Sequence, residues 1–91
     1  MTTKVEGKNK GNLMLFALST CVWCKRTKKL LGDLGVSFEF EDVDLLDGPA
    51  RDKAMAEFEK WNPGGGFPLL IINTSKCIKG FKEDEIRKTL E

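Results

Sequence analysis

Two cysteines three residues apart, Cys21 and Cys24, directly follow a continuous apolar run at residues 13–18. A short apolar run that ends at the turn-like pair Ser19-Thr20 is typical of a buried central strand. The cysteines then open an amphipathic segment at residues 22–34, which predicts a helix. Residues i and i+3 of a helix lie roughly 5–6 Å apart, a distance that a disulfide bond can span. The pair can therefore form and release a disulfide with little backbone movement.

The helical pattern places the two cysteines in different surroundings. Cys24 shares an inward stripe with Thr27, Leu31 and Leu34, whereas Cys21 lies at or just before the helix start. The unpaired N–H groups and the dipole at a helix N-terminus favour a negatively charged thiolate. We therefore expect Cys21 to be the reachable thiol and Cys24 to be the enclosed one.

The composition excludes several classes of function. The chain has 91 residues with 15 basic and 14 acidic side chains, a net charge of +1, so we expect one domain with no nucleic-acid or membrane partner. The first twelve residues lack an apolar signal-peptide core, which favours the cytoplasm. Three cysteines cannot all pair within one chain, and cytoplasmic disulfides are usually transient.

The remaining pattern predicts an α/β domain at residues 13–91, preceded by a flexible lead at residues 1–12. Alternating residues 36–40 predict a strand, and Gly48-Pro49 opens a second helix. Residues 69–72 and 76–79 predict an antiparallel hairpin, followed by a last helix at residues 82–90. The order β-α-β-α-β-β-α, with its first two strands parallel, gives a four-stranded mixed sheet flanked by helices.

Three landmarks on this pattern resemble the glutaredoxin-like branch of the thioredoxin fold. They are Cys21-Val22-Trp23-Cys24 after the first predicted strand, Phe67-Pro68 before the third, and Gly80-Phe81 after the fourth. The resemblance covers residues 13–90. It implies a thiol–disulfide oxidoreductase in which Pro68 is a cis-proline that faces the cysteines.

Glutathione-using members usually carry C-P-Y-C, a basic residue three positions before it, T-V-P at the proline and a Gly-Gly pair. This chain instead has Val22-Trp23 between the cysteines, Leu18 at the basic position, Gly66-Phe67 before the proline, and Phe81 at the second glycine. Each departure alters a group that resembles part of a glutathione site. The Gly80-Phe81 pair followed by Lys82 resembles NrdH-type redoxins, which take electrons from thioredoxin reductase and pass them to ribonucleotide reductase. The resemblance implies the same two partners here, with no cofactor and a monomeric chain.

We assign Cys21 as the nucleophile that attacks a client disulfide and Cys24 as the resolving thiol. The residues expected to contact substrate or partner are Thr20, Val22, Trp23, Lys25, Phe67, Pro68, Gly80 and Phe81. Cys77, on the last predicted strand, is expected to pack rather than react.

Other functions remain open from the sequence. One is a glutathione-dependent glutaredoxin, and another is a dimer that binds a metal ion or an iron–sulfur cluster. Three cysteines without histidine leave a tetrahedral zinc site one ligand short unless a carboxylate or a second chain supplies it. A structural domain with inert thiols is the remaining alternative.

Overall fold

The computed structural model describes residues 3–90 of the chain. Five strands, three α-helices and one short 3-10 helix make up this part. In chain order they are β1 (Thr3–Val5), β2 (Leu13–Ala17), α1 (Val22–Asp33), β3 (Phe38–Asp42), the 3-10 helix (Val43–Leu45), α2 (Gly48–Trp61), β4 (Leu69–Ile72), β5 (Lys76–Lys79) and α3 (Glu83–Leu90).

The strands form one mixed sheet in the order β1-β3-β2-β4-β5. β2 pairs parallel with β3, and β4 pairs antiparallel with both β2 and β5, which confirms the predicted topology. β2 is therefore the central strand, and its carboxyl end delivers the two cysteines to the middle of one end of the sheet. Both faces of β4 are covered, which accounts for its unbroken apolar sequence Leu69–Ile72.

The expected four-stranded sheet is wrong by one strand. Thr3–Val5, within the predicted lead, pairs antiparallel with Phe38–Phe40 at the edge of the sheet. The backbone that follows is also fastened, because the Lys8 N–H donates to the Gly35 carbonyl at 2.7 Å and the Ser37 N–H donates to the Lys8 carbonyl at 2.8 Å. The sequence of Thr3–Val5 is too short and too polar to predict a strand by itself, so the pairing with β3 decides its conformation.

The helices cover the sheet on both sides and divide the core into two clusters. On one side, α1 and α3 pack against the sheet around Leu15, Leu31 and Ile86, each of which is fully buried. On the other side, α2 packs through Ala54 and Phe58. Burying one such large apolar side chain stabilises the fold by about 1.5–3 kcal/mol. Among residues 3–90, no helix has the length and apolar character needed to cross a membrane.

The alternation of apolar and polar residues in β3 is interrupted at Glu41-Asp42, where the strand ends. β3 stops at Asp42, and Val43–Leu45 turns into the 3-10 helix, with Val43 buried. This turn places Asp44 beside the loop that leads from β2 into α1.

Candidate functional site

Cys21 is the N-cap residue of α1, as the sequence predicted. Its backbone is extended, with φ −83° and ψ 118°, and its Sγ accepts a hydrogen bond from the Cys24 N–H at 3.2 Å. The sulfur therefore lies where the helix offers an unpaired N–H and its positive dipole end. Its side chain is half-buried, so a disulfide can reach it from solvent.

Cys24 lies one turn further along α1 and faces the core with no exposed surface. Burial, and then the hydrogen bond with the Cys21 side chain, raise the pKa of the Cys24 thiol from 9.0 to about 12. The Cys24 thiol is thus protonated at neutral pH. The site thus holds one accessible thiol and one enclosed thiol, both free in this structure.

Asp44 anchors the loop that precedes Cys21. Its carboxylate accepts hydrogen bonds from the Ser19 N–H, at 2.8 Å, and from the Ser19 hydroxyl. These two bonds hold the pKa of Asp44 below its usual value. The Cys21 N–H in turn donates to the Leu18 carbonyl at 3.1 Å. The sequence offered no local signal for this anchor, because Ser19 and Asp44 belong to different elements.

The proline landmark has the backbone that the resemblance implied. The Phe67–Pro68 peptide bond is cis, and the Pro68 carbonyl accepts a hydrogen bond from the Gly80 N–H at 2.8 Å. Gly80 has φ +80°, a conformation that glycine adopts without steric cost. Two of the three predicted landmarks are therefore joined directly. Phe67 is half-buried and stacks on Phe58, with ring centroids 4.6 Å apart.

The first and third landmarks meet across the surface between α1 and the start of α3. The rings of Trp23 and Phe81 stack with centroids 5.7 Å apart and an interplanar angle of 26°. The Arg26 guanidinium lies over the Trp23 ring, 4.9 Å from its centroid. Trp23 still keeps 52% of its surface exposed. We call Val22, Trp23 and Phe81 the aromatic rim, an apolar surface on α1 and at the Gly80-Phe81 turn in which Val22 and Trp23 are exposed and Phe81 is half-buried.

The other predicted contact residues are exposed. Thr20 lies in the turn before α1, Val22 is 59% exposed, and Lys25 points to solvent from the first turn of the helix. Sequence reasoning missed Arg26 as a partner of Trp23, and it missed the ion pair of Lys28 with Asp42, whose atoms lie 2.8 Å apart. The position of Lys28, four residues after Cys24 on the same helix, was the available signal.

Cys77 packs in a different core cluster from Cys21 and Cys24. Its half-buried side chain packs on the α2 side of the sheet, and its thiol approaches the Trp61 carbonyl at 3.9 Å. This agrees with the predicted packing role. Within residues 3–90, no group of three or more cysteine, aspartate or glutamate side chains is arranged to hold a metal ion.

Known proteins resemble this chain in sequence and in structure. The glutaredoxin family model matches residues 13–76. An uncharacterised glutaredoxin-like protein of 8.6 kDa in the rubredoxin operon of Clostridium pasteurianum is 30% identical over 79 residues, which cover 87% of this chain and 97% of that protein.

Solved structures agree with the family match. A glutaredoxin from Methanosarcina mazei is 49% identical with a TM-score of 0.90, over 98% of this chain and 86% of that one. A methanoredoxin from Methanosarcina acetivorans is also 49% identical, with a TM-score of 0.89 over 92% of this chain and 88% of that one. The NrdH-redoxin of Escherichia coli is 25% identical with a TM-score of 0.66, over 85% of this chain and 92% of that one.

The family match spans most of the domain and includes both cysteines, and the structural matches extend over nearly the whole chain. The fold is thioredoxin-like, with five strands in its sheet. The cis-proline and the glycine turn that bonds to it follow the cysteine pair in the order that the resemblance implied. The chain belongs to the glutaredoxin family of thiol–disulfide oxidoreductases.

Proposed function

We propose that the protein reduces disulfide bonds in client proteins through Cys21 and Cys24. The observation that carries this proposal is the contrast between the two sulfurs: Cys21 Sγ accepts an N–H at the helix start, whereas Cys24 is fully enclosed. Cys21 attacks one sulfur of the client disulfide and forms a mixed disulfide with it, while the client S–S bond breaks and the other client sulfur leaves as a thiolate. Cys24 then attacks Cys21 Sγ, which releases the second client thiol and leaves an oxidised Cys21–Cys24 bridge.

We further propose that the client is a protein surface and that the reductant is a thioredoxin reductase, as in NrdH-type redoxins. The aromatic rim supports this, because exposed aromatic side chains are enriched where proteins bind each other. The Escherichia coli NrdH-redoxin, which shares this fold, has a thioredoxin-like activity profile. Ribonucleotide reductase is the client that this assignment suggests, and the cytoplasm is the compartment.

Comparing reductants tests the electron source. The protein is incubated with a disulfide client and NADPH, together with either thioredoxin reductase or glutathione and glutathione reductase. We expect NADPH oxidation with thioredoxin reductase to exceed that with glutathione by about tenfold or more. Turnover through glutathione alone would assign the protein to the glutathione-dependent class and reject the NrdH-type proposal.

Trapping tests the roles of the two cysteines. The Cys24→Ser variant retains the attacking thiol and lacks the resolving one, so it should accumulate a mixed disulfide with the client. The Cys21→Ser variant should accumulate none, and Cys77→Ser should behave like the unmodified protein. Non-reducing electrophoresis with mass spectrometry identifies the linked residue, and a mixed disulfide on Cys24 would reverse the assigned roles.

A further inference from the structure

Lys28 lies on the same face of α1 as Cys24, one turn further along the helix. Its ammonium is partly withdrawn from water, with 23% of its side chain exposed, and it lies 4.2 Å from the centroid of the Phe40 ring. It pairs with the Asp42 carboxylate at 2.8 Å, and the Asp42 side chain is 15% exposed. An ammonium held at this depth by β3 is less free than the exposed lysines of the same helix.

The second half of the reaction requires a charge at the enclosed sulfur. A thiol attacks a disulfide only as its thiolate, and burial together with the neighbouring Cys21 side chain raises the pKa of Cys24 to about 12. A hydrogen bond with the Leu18 backbone and, to a smaller extent, the charge of Lys28 act in the opposite direction and lower that pKa. Lys28, with its partner Asp42, thus brings charge to Cys24 from α1 and β3, while α3 turns apolar Ile86 and Leu90 toward the same cluster.

We propose that Lys28, held in place by Asp42, is a positioning residue for the resolving step, because its ammonium stabilises the thiolate that Cys24 forms. This inference rests on the proposed roles of the two cysteines. Cys24 loses its proton to solvent, its thiolate attacks Cys21 Sγ, and the Cys21–Cys24 bond forms. The bond between Cys21 and the client sulfur breaks, and the client leaves as a thiolate that takes up a proton.

Loss of the Lys28 charge should change the rate of the resolving step in two opposite ways: it lowers the fraction of Cys24 present as thiolate, and it makes that thiolate more nucleophilic. An opposite charge close to a titrating group typically shifts its pKa by about 1–3 units, and the nearby carboxylate and partial exposure put Lys28 at the low end. Loss of about one unit would reduce the thiolate fraction about tenfold at neutral pH. The more basic thiolate would be about threefold more nucleophilic, since the Brønsted coefficient is about 0.4–0.5. The net slowing is therefore about three- to fourfold.

Dithiobis(nitrobenzoate) separates the two steps in a stopped-flow experiment with the reduced, full-length protein. Attack by Cys21 releases a first thionitrobenzoate, and attack by Cys24 on the resulting mixed disulfide releases a second. We expect Lys28→Met to slow the second release about three- to fourfold at neutral pH, with the first release little changed. The rate of the second release from Lys28→Met should also keep rising to a higher pH than it does in the unmodified protein. Lys28→Arg should retain the unmodified rate.

Two further variants test whether the slowing comes from the charge of Lys28 itself. Lys29→Met deletes an exposed lysine from the same helix, one that pairs with Asp33 at 3.0 Å, and it should change neither release. The double variant Lys28→Met with Asp42→Asn leaves no unpaired carboxylate, and its second release should remain slower than that of the unmodified protein. A second release that is unchanged in Lys28→Met, or restored in the double variant, would overturn the role of Lys28. Absence of a Cys24-dependent second release in the unmodified protein would instead reject the proposed cysteine roles.

Discussion

Cys21 and Cys24 are the same residue type only three positions apart, and their surroundings alone separate their chemistry. At pH 7 we expect iodoacetamide to label Cys21 about a hundredfold faster than Cys24, because Cys24 has no exposed surface and a pKa of about 12. Peptide mass spectrometry over a time course gives each rate separately. In urea the three cysteines should react alike, which serves as the control. Equal labelling of the two thiols in the folded protein would contradict this arrangement.

Trp23 is a large aromatic residue that keeps about half of its surface exposed. A stacked indole that stays half exposed two residues after Cys21 suits contact with a partner protein. We expect Trp23→Ala to raise KM for a protein client about tenfold, equivalent to about 1.4 kcal/mol of binding, with kcat nearly unchanged. Steady-state kinetics with a protein client and a small aromatic disulfide measures this.

Two comparisons make the Trp23 result specific. Phe81→Ala removes the stacking partner and should show the same trend, whereas Lys29→Ala truncates an exposed side chain further along α1 and should have no effect. The small disulfide should be reduced at an unchanged rate by every variant, since it needs no docking surface. An equal loss of activity toward both substrates would show that the Trp23 ring serves the local structure of the site instead.

At the scale of elements, two glycines should respond to alanine in opposite ways. A Cβ at Gly7 would lie 2.6 Å from the Gly35 carbonyl oxygen and 2.7 Å from the Val36 carbonyl carbon, both backbone atoms. We expect Gly7→Ala to cost about 1–3 kcal/mol, which lowers Tm by roughly 4–8 °C per kcal/mol in a domain of this size. The measurement is thermal unfolding followed by circular dichroism.

Gly32 supplies the matched control, because it lies in α1 with nothing within 4 Å of its added Cβ. Gly32→Ala should stabilise the protein by about 0.5–1 kcal/mol, the usual gain for alanine over glycine in a helix interior. A neutral Gly7→Ala would mean that the segment after β1 does not pack against residues 35–37 in solution.

The elements that could be predicted from the sequence are those with a strong local pattern. α1 was expected at residues 22–34 and spans Val22–Asp33, and the strands at residues 69–72 and 76–79 have the predicted bounds. β1 could not be predicted, because its three residues become a strand only through pairing with β3. A local pattern carries no information on such a long-range pairing.

The candidate site also has features that the sequence predicts and contacts that it does not. The N-cap position of Cys21 and the burial of Cys24 follow from helical periodicity, and the cis peptide before Pro68 followed from the family resemblance. The Trp23–Phe81 stack and the Asp44 anchor join residues far apart in the chain. Neither contact could be predicted from one sequence, because both depend on how the elements pack.

At the scale of the whole molecule, the sheet brings together segments that are far apart in the sequence. β2 carries the cysteines to the end of the sheet, and the turn at Gly80 bonds to the cis-proline segment. The same packing encloses Cys24 between α1, α3 and the sheet, so the enclosed thiol is coupled to the stability of the entire fold. A raised thiol pKa means that the folded state holds this proton more tightly than the unfolded chain does.

This coupling predicts how stability depends on pH in the reduced protein. The contribution of Cys24 is fully present below pH 9 and is lost as the pH rises from 9.0 toward about 12, the unfolded and folded pKa values. In that interval the unfolded chain binds up to one proton fewer, so the free energy of unfolding should fall by up to about 1.4 kcal/mol per pH unit. The chain has no tyrosine, which leaves cysteines, lysines and the chain amine as the titrating groups.

Urea unfolding with a thiol reductant, at several pH values between about 8 and about 11, measures the effect. Cys24→Ala retains every lysine and both other cysteines, so the difference between its pH profile and that of the unmodified protein isolates the enclosed thiol. We expect Cys24→Ala to be less stable at the lowest pH, because the substitution leaves a cavity, and to lose less stability than the unmodified protein as the pH rises. Parallel profiles would mean that Cys24 holds its proton no more tightly in the folded protein than in the unfolded chain. In that case burial would not set the chemistry of the resolving thiol, and the reactivity of the two cysteines would differ through access alone.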